Sequence, residues 1–373
     1  MVDGMVRGQA RRPRLADVAA RAGVSKKTVS NVVNNHPFVA EHTRKRVLQA
    51  IEELGYQPNL SARNLARGRT GVIALVIPQL DMPYFSELAR HVVEVAQQRS
   101  WVVLIEQTLG DKDLEQEIID GRLCRRIDGM IYSPSRISAA ALRRRTSSTP
   151  IVLIGEVIDD ATLDHVSIDN VAAARTATQH LIDLGRRRVA AIGAMGRRAR
   201  GAARQRLEGY QQALTEAGLH VDPALIGQAA RYVGEIGAAA MDQLLDLDDP
   251  PDAVFCFTDL LALGALRSIH RRGLRVPEDI AIVGHDDIPY GRIAVPSLTT
   301  ISPDKRAIAE TAVDLLDRRV SSRATLPPRR VHVGFQLVVR ESTIVRESTV
   351  VPESTGALST PRSSARRVTA LDG

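Results

Sequence analysis

From Gly71 onward, short β-rich apolar runs alternate with longer amphipathic segments, and this alternation limits the available folds more than any other feature. The runs are Val72–Ile77, Val102–Ile105, Gly129–Tyr132, Ile151–Ile154 and Val166–Ile168, then Val189–Ile192, Ala253–Phe257 and Ile280–Val283. Continuously apolar strands with helices between them point to parallel sheets covered on both faces, because a strand wet on one side would alternate instead. About 270 residues of this pattern exceed one ordinary doubly wound domain, so two lobes are expected. Ligands of such sheets bind beyond the carboxyl ends of the strands. Many runs end there in polar groups: Pro78-Gln79, Ser133, Gly155-Glu156, Asp169, Thr258-Asp259 and His285-Asp286.

The beginning of the chain reads differently. Residues 1–69 carry 13 Lys and Arg against five Asp and Glu, while all 373 residues together have a net charge of only +7. The excess positive charge therefore lies in the first fifth, as in a small nucleic-acid-binding head on a neutral body. A solvated basic arm is the plainer alternative. Leu15, Val18 and Ala19 share a helical face, Ala22-Gly23-Val24 makes a turn, and Lys26–Val33 forms a helix opened by Ser25. Thr43–Leu54 is a third helix, stopped by Gly55, with Pro58 marking a linker. The spacing Asp17-Val18-Ala19-x-x-x-Gly23-Val24-x-x-x-x-Val29-x-x-Val32 is that of a helix-turn-helix. Small Ala19 lets two helices cross closely, Gly23 permits the turn, and the valines make a small core. The second helix of such a unit enters the major groove with its N-terminal residues toward the bases. Lys26, Lys27 and Asn31 then occupy reading positions, lysine donating to guanine edges and asparagine pairing with adenine. Ser25, Thr28, Ser30 and Asn34 serve phosphates or cap helices. The alternative is an ordinary three-helix packing unit with solvated lysines.

Other classes fit poorly. No apolar run approaches the ~18–20 residues of a membrane helix. Met1–Arg14 carries arginines with no apolar core after them, unlike a secretory signal. Cys124 and Cys256 are too few for a disulfide framework, and neither they nor the nine histidines fall at metal-ligand spacing. No Gly-x-Gly-x-x-Gly follows the first strand, and there is no Walker loop and no Gly-x-Ser-x-Gly elbow. His285-Asp286 looks like an acid–base pair, yet no nucleophile or oxyanion donor accompanies it. No enzyme, catalytic residue, cofactor or metal is expected, nor any membrane partner. A cytoplasmic, nucleoid-associated protein is.

Further motifs follow in order. The head and linker hold Asp17-Val-Ala-x-x-Ala22-Gly-Val-Ser-x-x-Thr28-Val-Ser and Leu54-Gly-Tyr-x-Pro58-Asn-x-x-Ala62-Arg-x-Leu65-Ala. The body holds Arg126-x-Asp128-Gly, His180-Leu-Ile-x-Leu-Gly185, Arg206-x-x-Gly209-Tyr, Asp259-x-x-Ala262-x-Gly264, Gly284-x-Asp286-Asp-Ile and Arg340-Glu-Ser-Thr343. This series, from about Leu15 to Thr343, resembles the LacI/GalR-type bacterial transcription repressors.

The resemblance implies a small all-α helix-turn-helix head and an α/β, two-lobed, periplasmic-binding-protein-like body of parallel doubly wound sheets. It divides the chain into a DNA-binding head (1–58), a hinge helix and linker (59–69), an effector-binding and dimerisation body (70–345) and a tail (346–373). The tail, rich in Ser, Thr, Arg and Pro, offers too little apolar surface to offset its ordering entropy. It has no leucine heptad to join dimers into tetramers. A homodimer on a near-palindromic double-stranded operator is implied, with hinge helices that form only on DNA. Asn59, Ala62, Arg63 and Leu65 then lie at the minor groove, Leu65 as the wedge in the central base step. Leu65 as a linker residue packed on the body is the other reading.

In the body the resemblance implies crossovers near Asp169, Leu298 and Val331, and an effector between the lobes, a sugar or sugar derivative. Arg206 and Asp286 match by motif, a guanidinium fork and a carboxylate suited to vicinal hydroxyls. An interdomain ion pair is the alternative. Tyr232 is a sugar platform or a core residue. Ser133, Asp169 and Thr258 lie at strand ends facing the cleft, Asp169 being equally suited to cap a helix. Tyr84 and Phe85 wall the pocket. The chain departs from the family pattern at Arg14 and Ala40, where capping Thr or Ser is frequent, and at Asn31, Thr258 and Gly155. The function implied is a transcriptional regulator, a repressor, whose operator affinity is under effector control. A sugar-binding protein without regulation and an enzyme are the rival readings.

Overall fold

The computed structural model describes residues 13–33, 36–56, 69–155, 162–196, 201–322, 324 and 326–344. The head holds three helices, α1 (Leu15–Ala22), α2 (Lys26–Val33) and α3 (Glu41–Leu54). Val18, Val29 and Val47, one from each helix, are fully buried, with Ala19, Ala22, Val32, Ala50 and Tyr56 around them. Neither α1 nor α3 has a side-chain cap from Arg14 or Ala40. The Asp17 carboxylate instead accepts the Arg14 N–H at 2.7 Å.

The body is two parallel sheets. β1 (Val72–Ile77), β2 (Val102–Gln107), β3 (Gly129–Tyr132), β4 (Ile151–Ile154) and β5 (Asp164–Ile168) join β11 (Arg330–Val333) in the order β11-β5-β4-β3-β1-β2. β6 (Val189–Ala194), β7 (Ile226–Gln228), β8 (Ala253–Cys256), β9 (Ala281–His285), β10 (Thr299–Pro303) and β12 (Phe335–Val338) form the second, ordered β12-β10-β9-β8-β6-β7. Among the described residues only β12 is antiparallel, against β10. The first lobe carries α4 (Pro83–Gln98), α5 (Lys112–Glu117), α6 (Ala139–Arg143) and α12 (Lys305–Ser321), the last packed on α4, β3, β4 and β5. The second carries α7 (Asn170–Asp183), α8 (Gly201–Glu216), α9 (Gly234–Leu245), α10 (Asp259–Arg271) and α11 (Pro289–Ile293).

Two of the motif glycines are explained by packing. A Cβ on Gly209 would stand 2.1 Å from the Val171 carbonyl oxygen, and one on Gly264 would stand 1.9 Å from that of Gly234. They let α8 lie on α7, and α10 on α9, backbone against backbone.

The chain crosses between lobes three times. The first crossing follows β5 at Asp169, as expected, and the third is at Gly334, beside Val331. The second lies at Asp304, after β10, and not near Leu298, which is fully buried in the second lobe. The cause is β10 itself: Thr299-Thr-Ile-Ser-Pro303 is buried but half polar, so it does not read as an apolar strand. β7, β11 and β12 also escaped notice, being three or four residues long and only partly buried.

Candidate functional site

In the head, the turn between α1 and α2 rests on Gly23, whose φ of 61° is left-handed. Arg46 of α3 fastens it, donating to the carbonyls of Ala22 and Gly23, while Arg21 of α1 pairs with Glu53 of α3. Nothing in the sequence distinguished Arg46 from the other charges of a basic head. Ser25 caps α2: its hydroxyl accepts the Thr28 N–H at 3.1 Å and lies 2.9 Å from the Thr28 hydroxyl. Lys26 and Lys27 are exposed in the first turn, while Ser30 and Asn31 are half-buried further along α2. That turn holds no acidic residue, so two ammonium groups add to the positive end of the helix dipole. An anion or a base edge meets donors there. Asn34, Asn59, Ala62, Arg63 and Leu65, and with them the hinge, lie outside the described residues.

In the body, residues from both lobes meet at the carboxyl ends of the strands. Tyr84 and Phe85 stand edge to face at the start of α4, ring centroids 5.2 Å apart. Ser133 is buried at the end of β3. Arg206 projects from α8, its Nε donating to Asn170 Oδ1 at 3.0 Å and its Nη1 to the Phe257 carbonyl. The guanidinium is thus set in one orientation by α7 and the end of β8. Asp286 follows β9 and is only 7% exposed. Among the described residues no ion pair joins it to Arg206, which stands on the same lobe. Both charges reach Tyr84: burial raises its phenol well above the usual pKa, the Asp286 charge adds to the rise and the Arg206 charge opposes it.

Three of the expected residues have visible structural work. Asp169 is exposed and caps α7, accepting the Ala172 N–H at 2.9 Å. Thr258 is buried and caps α10, accepting the Leu261 N–H at 3.3 Å. The Tyr232 hydroxyl donates to the Gly193 carbonyl at 3.2 Å while its ring packs partly against the core.

The framework under Asp286 was not foreseen. Asp286 and Asp287 have φ of 115° and 49°, a region costing an L residue about 1–2 kcal/mol. Such a conformation persists where its surroundings over-determine it. The Asp286 N–H donates to the Ile301 carbonyl at 2.8 Å. Buried Asp259 accepts the Ile288 N–H at 2.8 Å and the Thr300 hydroxyl at 2.6 Å. Gly284 leaves it room, since a Cβ there would stand 2.2 Å from Asp259 Oδ1. Burial, with the charges of Asp286 and Asp287, pushes the Asp259 carboxyl well above the usual carboxylate range. Arg340, Arg292 and Ser302 hold the Asp287 carboxylate at 2.6, 3.1 and 3.0 Å.

His285 and Lys305 complete the site. His285 Nδ1 lies 3.0 Å from Asp286 Oδ1, and its buried Nε2 has no partner among the described residues. Burial, then the Arg206 charge, pushes the imidazole down to about 4 against the pull of Asp286. The ring is neutral at pH 7, and the proton on Nδ1 is the one Asp286 can accept. Lys305, the first residue of α12 after the second crossing, pairs with Glu87 of α4. The same ammonium donates to the Asp287 carbonyl at 3.1 Å and lies 5.9 Å from the Tyr84 ring centroid. One cation ties the two lobes beside the cleft. Among the described residues no group of three metal-ligating side chains occurs, and no helix is long and apolar enough to cross a membrane.

Residues 14–59 match the family described as bacterial regulatory proteins, lacI family, and residues 178–343 match a periplasmic binding protein-like domain. The chain is 36% identical over 330 residues to the HTH-type transcriptional repressor CytR of Escherichia coli K12, covering 88% of this chain and 96% of that one. Among solved structures it is similar to the lac repressor dimer bound to operator and the anti-inducer ONPF, with a TM-score of 0.75 and 28% identity over 90% of this chain and 100% of that one. It is also similar to the transcriptional regulator CelR in complex with cellobiose, with a TM-score of 0.65 and 33% identity over 89% of this chain and 100% of that one.

Proposed function

The chain belongs to the LacI family of bacterial regulatory proteins, and from that premise we propose a dimeric, cytoplasmic repressor whose grip on operator DNA is set by a small saccharide-like effector between its lobes. As a member of that family it is a DNA-binding transcriptional regulator and not an enzyme. The observation that carries the effector reading is the pre-set Arg206 fork on the same lobe as Asp286, with both charges felt by Tyr84 across the cleft. Vicinal hydroxyls suit one fork of donors and one carboxylate acceptor. Tyr84 and Phe85 offer the apolar wall. The cellobiose held by the similar CelR supports a saccharide.

Ser25, Lys26, Lys27, Thr28, Ser30, Asn31 and Asn34 are assigned to the operator, with Asn59, Ala62, Arg63 and Leu65 of the linker. The division at residues 58, 69 and 345 is kept. A near-palindromic site calls for two heads, and Tyr290, Ile293 and Val295 leave an apolar patch 56%, 78% and 82% exposed on the second lobe for a second copy to cover. Regulation then requires only that the effector favour one lobe arrangement over the other.

The test is selection of the sequence bound from random duplex DNA by the full chain, followed by titration of a panel of mono- and disaccharides. A near-palindromic sequence should emerge, and one sugar should shift its affinity at least about fivefold. An enriched sequence that no sugar affects would refute the effector class and leave the DNA reading standing.

A further inference from the structure

Among the described residues, the first lobe carries a row of arginines that its acids do not pair with. In its parallel sheet all strands start along one edge, and the helices between them run back and end at that edge. Arginine recurs there: Arg125 and Arg126 before β3, Arg143 and Arg144 before β4, Arg329 before β11, and Arg318 in the last turn of α12. All six are exposed, and none makes an ion pair among the described residues. Among the described residues, acids of this edge are already engaged. Asp164 takes Arg319, Glu117 takes Arg122, and Asp128 accepts the N–H groups of Thr70 and Gly71 at 2.8 and 2.7 Å.

Helix dipoles favour a cation at helix C-termini, and that alone accounts for some of these arginines. The second lobe shows what it leaves unexplained. Its strand-start edge is also rich in arginine, but there carboxylates answer: Arg188 meets Asp249, Arg271 meets Asp242, Arg272 meets Asp246 and Arg275 meets Asp279. On the second lobe's edge most arginines meet a carboxylate, Arg186 and Arg187 donating to backbone carbonyls instead, whereas on the first lobe's edge most meet none among the described residues.

The positive edge is also where the head is tethered. Arg69 donates to the Val320 carbonyl at 2.9 Å, and Thr70 and Gly71 are pinned by Asp128. Between Tyr56 of the head and Arg69 lie only residues 57–68, a stretch that spans at most about 45 Å even when fully extended. With the head in the major groove, Arg69 on this edge stays within that distance of Tyr56, at the end of a head seated on the duplex. We infer that the strand-start edge of the first lobe is a second DNA contact, a sequence-independent surface for backbone phosphates beside the site the head reads. The inference rests on the DNA-binding reading of the head.

The test uses the full chain and the variant Arg143→Gln/Arg144→Gln/Arg318→Gln/Arg329→Gln, titrated against operator and against random duplex over a range of salt. Each lost phosphate contact should flatten the log–log salt slope by about 0.9. Affinity for operator and for random duplex should fall by the same factor, since phosphates carry no sequence information. The selected sequence and the effector response should not change. Unchanged slope and affinity in the variant would overturn the inference, and so would a loss confined to the operator. Charge reversal with Arg143→Glu/Arg144→Glu should weaken binding of both duplexes further than neutralisation of the same pair, and failure to do so counts against the surface. A parent chain that binds neither duplex would overturn the head reading itself, which separates the two failures.

Discussion

His285 gives the stability of the body a pH dependence whose size follows from its burial. The folded imidazole titrates near 4, against about 6.5 in an unfolded chain. The unfolded state therefore takes up the proton first, and stability is lost as pH falls from 6.5 toward 4. Above 6.5 both states hold a neutral ring and the contribution vanishes. A gap of about 2.5 at 1.36 kcal/mol per pH unit amounts to about 3 kcal/mol once pH is below the folded value, and to about 1.3 kcal/mol at pH 5.5. His285→Gln removes the titrating group and keeps a polar side chain beside Asp286. Guanidinium unfolding of the body, followed at pH 7.5 and 5.5, should show the parent losing about 1.3 kcal/mol more than the variant between those two values. Equal losses would refute the buried neutral imidazole. Asp259 drops out of this comparison because its raised carboxyl is present in both proteins.

Arg206→Ala should leave operator binding without effector intact and raise the effector concentration needed for a response by about 10–100-fold, the worth of one or two charged hydrogen bonds. An operator-displacement titration checks it, and an unmoved midpoint would remove Arg206 from the site. Lys305→Met removes the donor that reaches across to the Asp287 carbonyl, and Glu87→Gln removes the first-lobe carboxylate that holds the same ammonium, so both should shift the effector midpoint in the same direction; opposite shifts would show that Glu87 and Lys305 do not act as a unit. Asn31→Arg should change the favoured base at one half-site position by about 1–3 kcal/mol in a selection experiment. An even loss across all sequences would confine Asn31 to the backbone or the packing of α2.

Much of the architecture was legible because parallel strands buried on both faces are uninterrupted apolar runs, and β1, β3 and β4 stand where such runs end and begin. The head was legible for a different reason: Ala19, Gly23 and the valines are each required by the close crossing of two short helices. Polar strands hid. β10 buries Thr299 and Thr300 by bonding them to Arg340, Thr343 and Asp259, partners up to 44 residues distant that no local pattern announces. The site was legible only in part for the same reason. Arg206 and Asp286 are legible through the motifs Arg206-x-x-Gly209-Tyr and Gly284-x-Asp286-Asp-Ile, whereas Asp259, Lys305 and Arg46 matter through contacts made after folding. Asp169 and Thr258 show the converse. A polar residue at a strand end is also the natural cap of the following helix, and here the cap is what the geometry displays.

The central claim is that one chain joins DNA affinity to effector binding, and fluorescence anisotropy of the full chain on its selected operator tests it most directly. Affinity should fall steeply with salt, at a log–log slope of about −0.9 per neutralised phosphate. At fixed salt the effector should move it by about 5–150-fold, with the operator moving effector affinity by the same factor. An operator affinity indifferent to every ligand that the body binds would contradict the account.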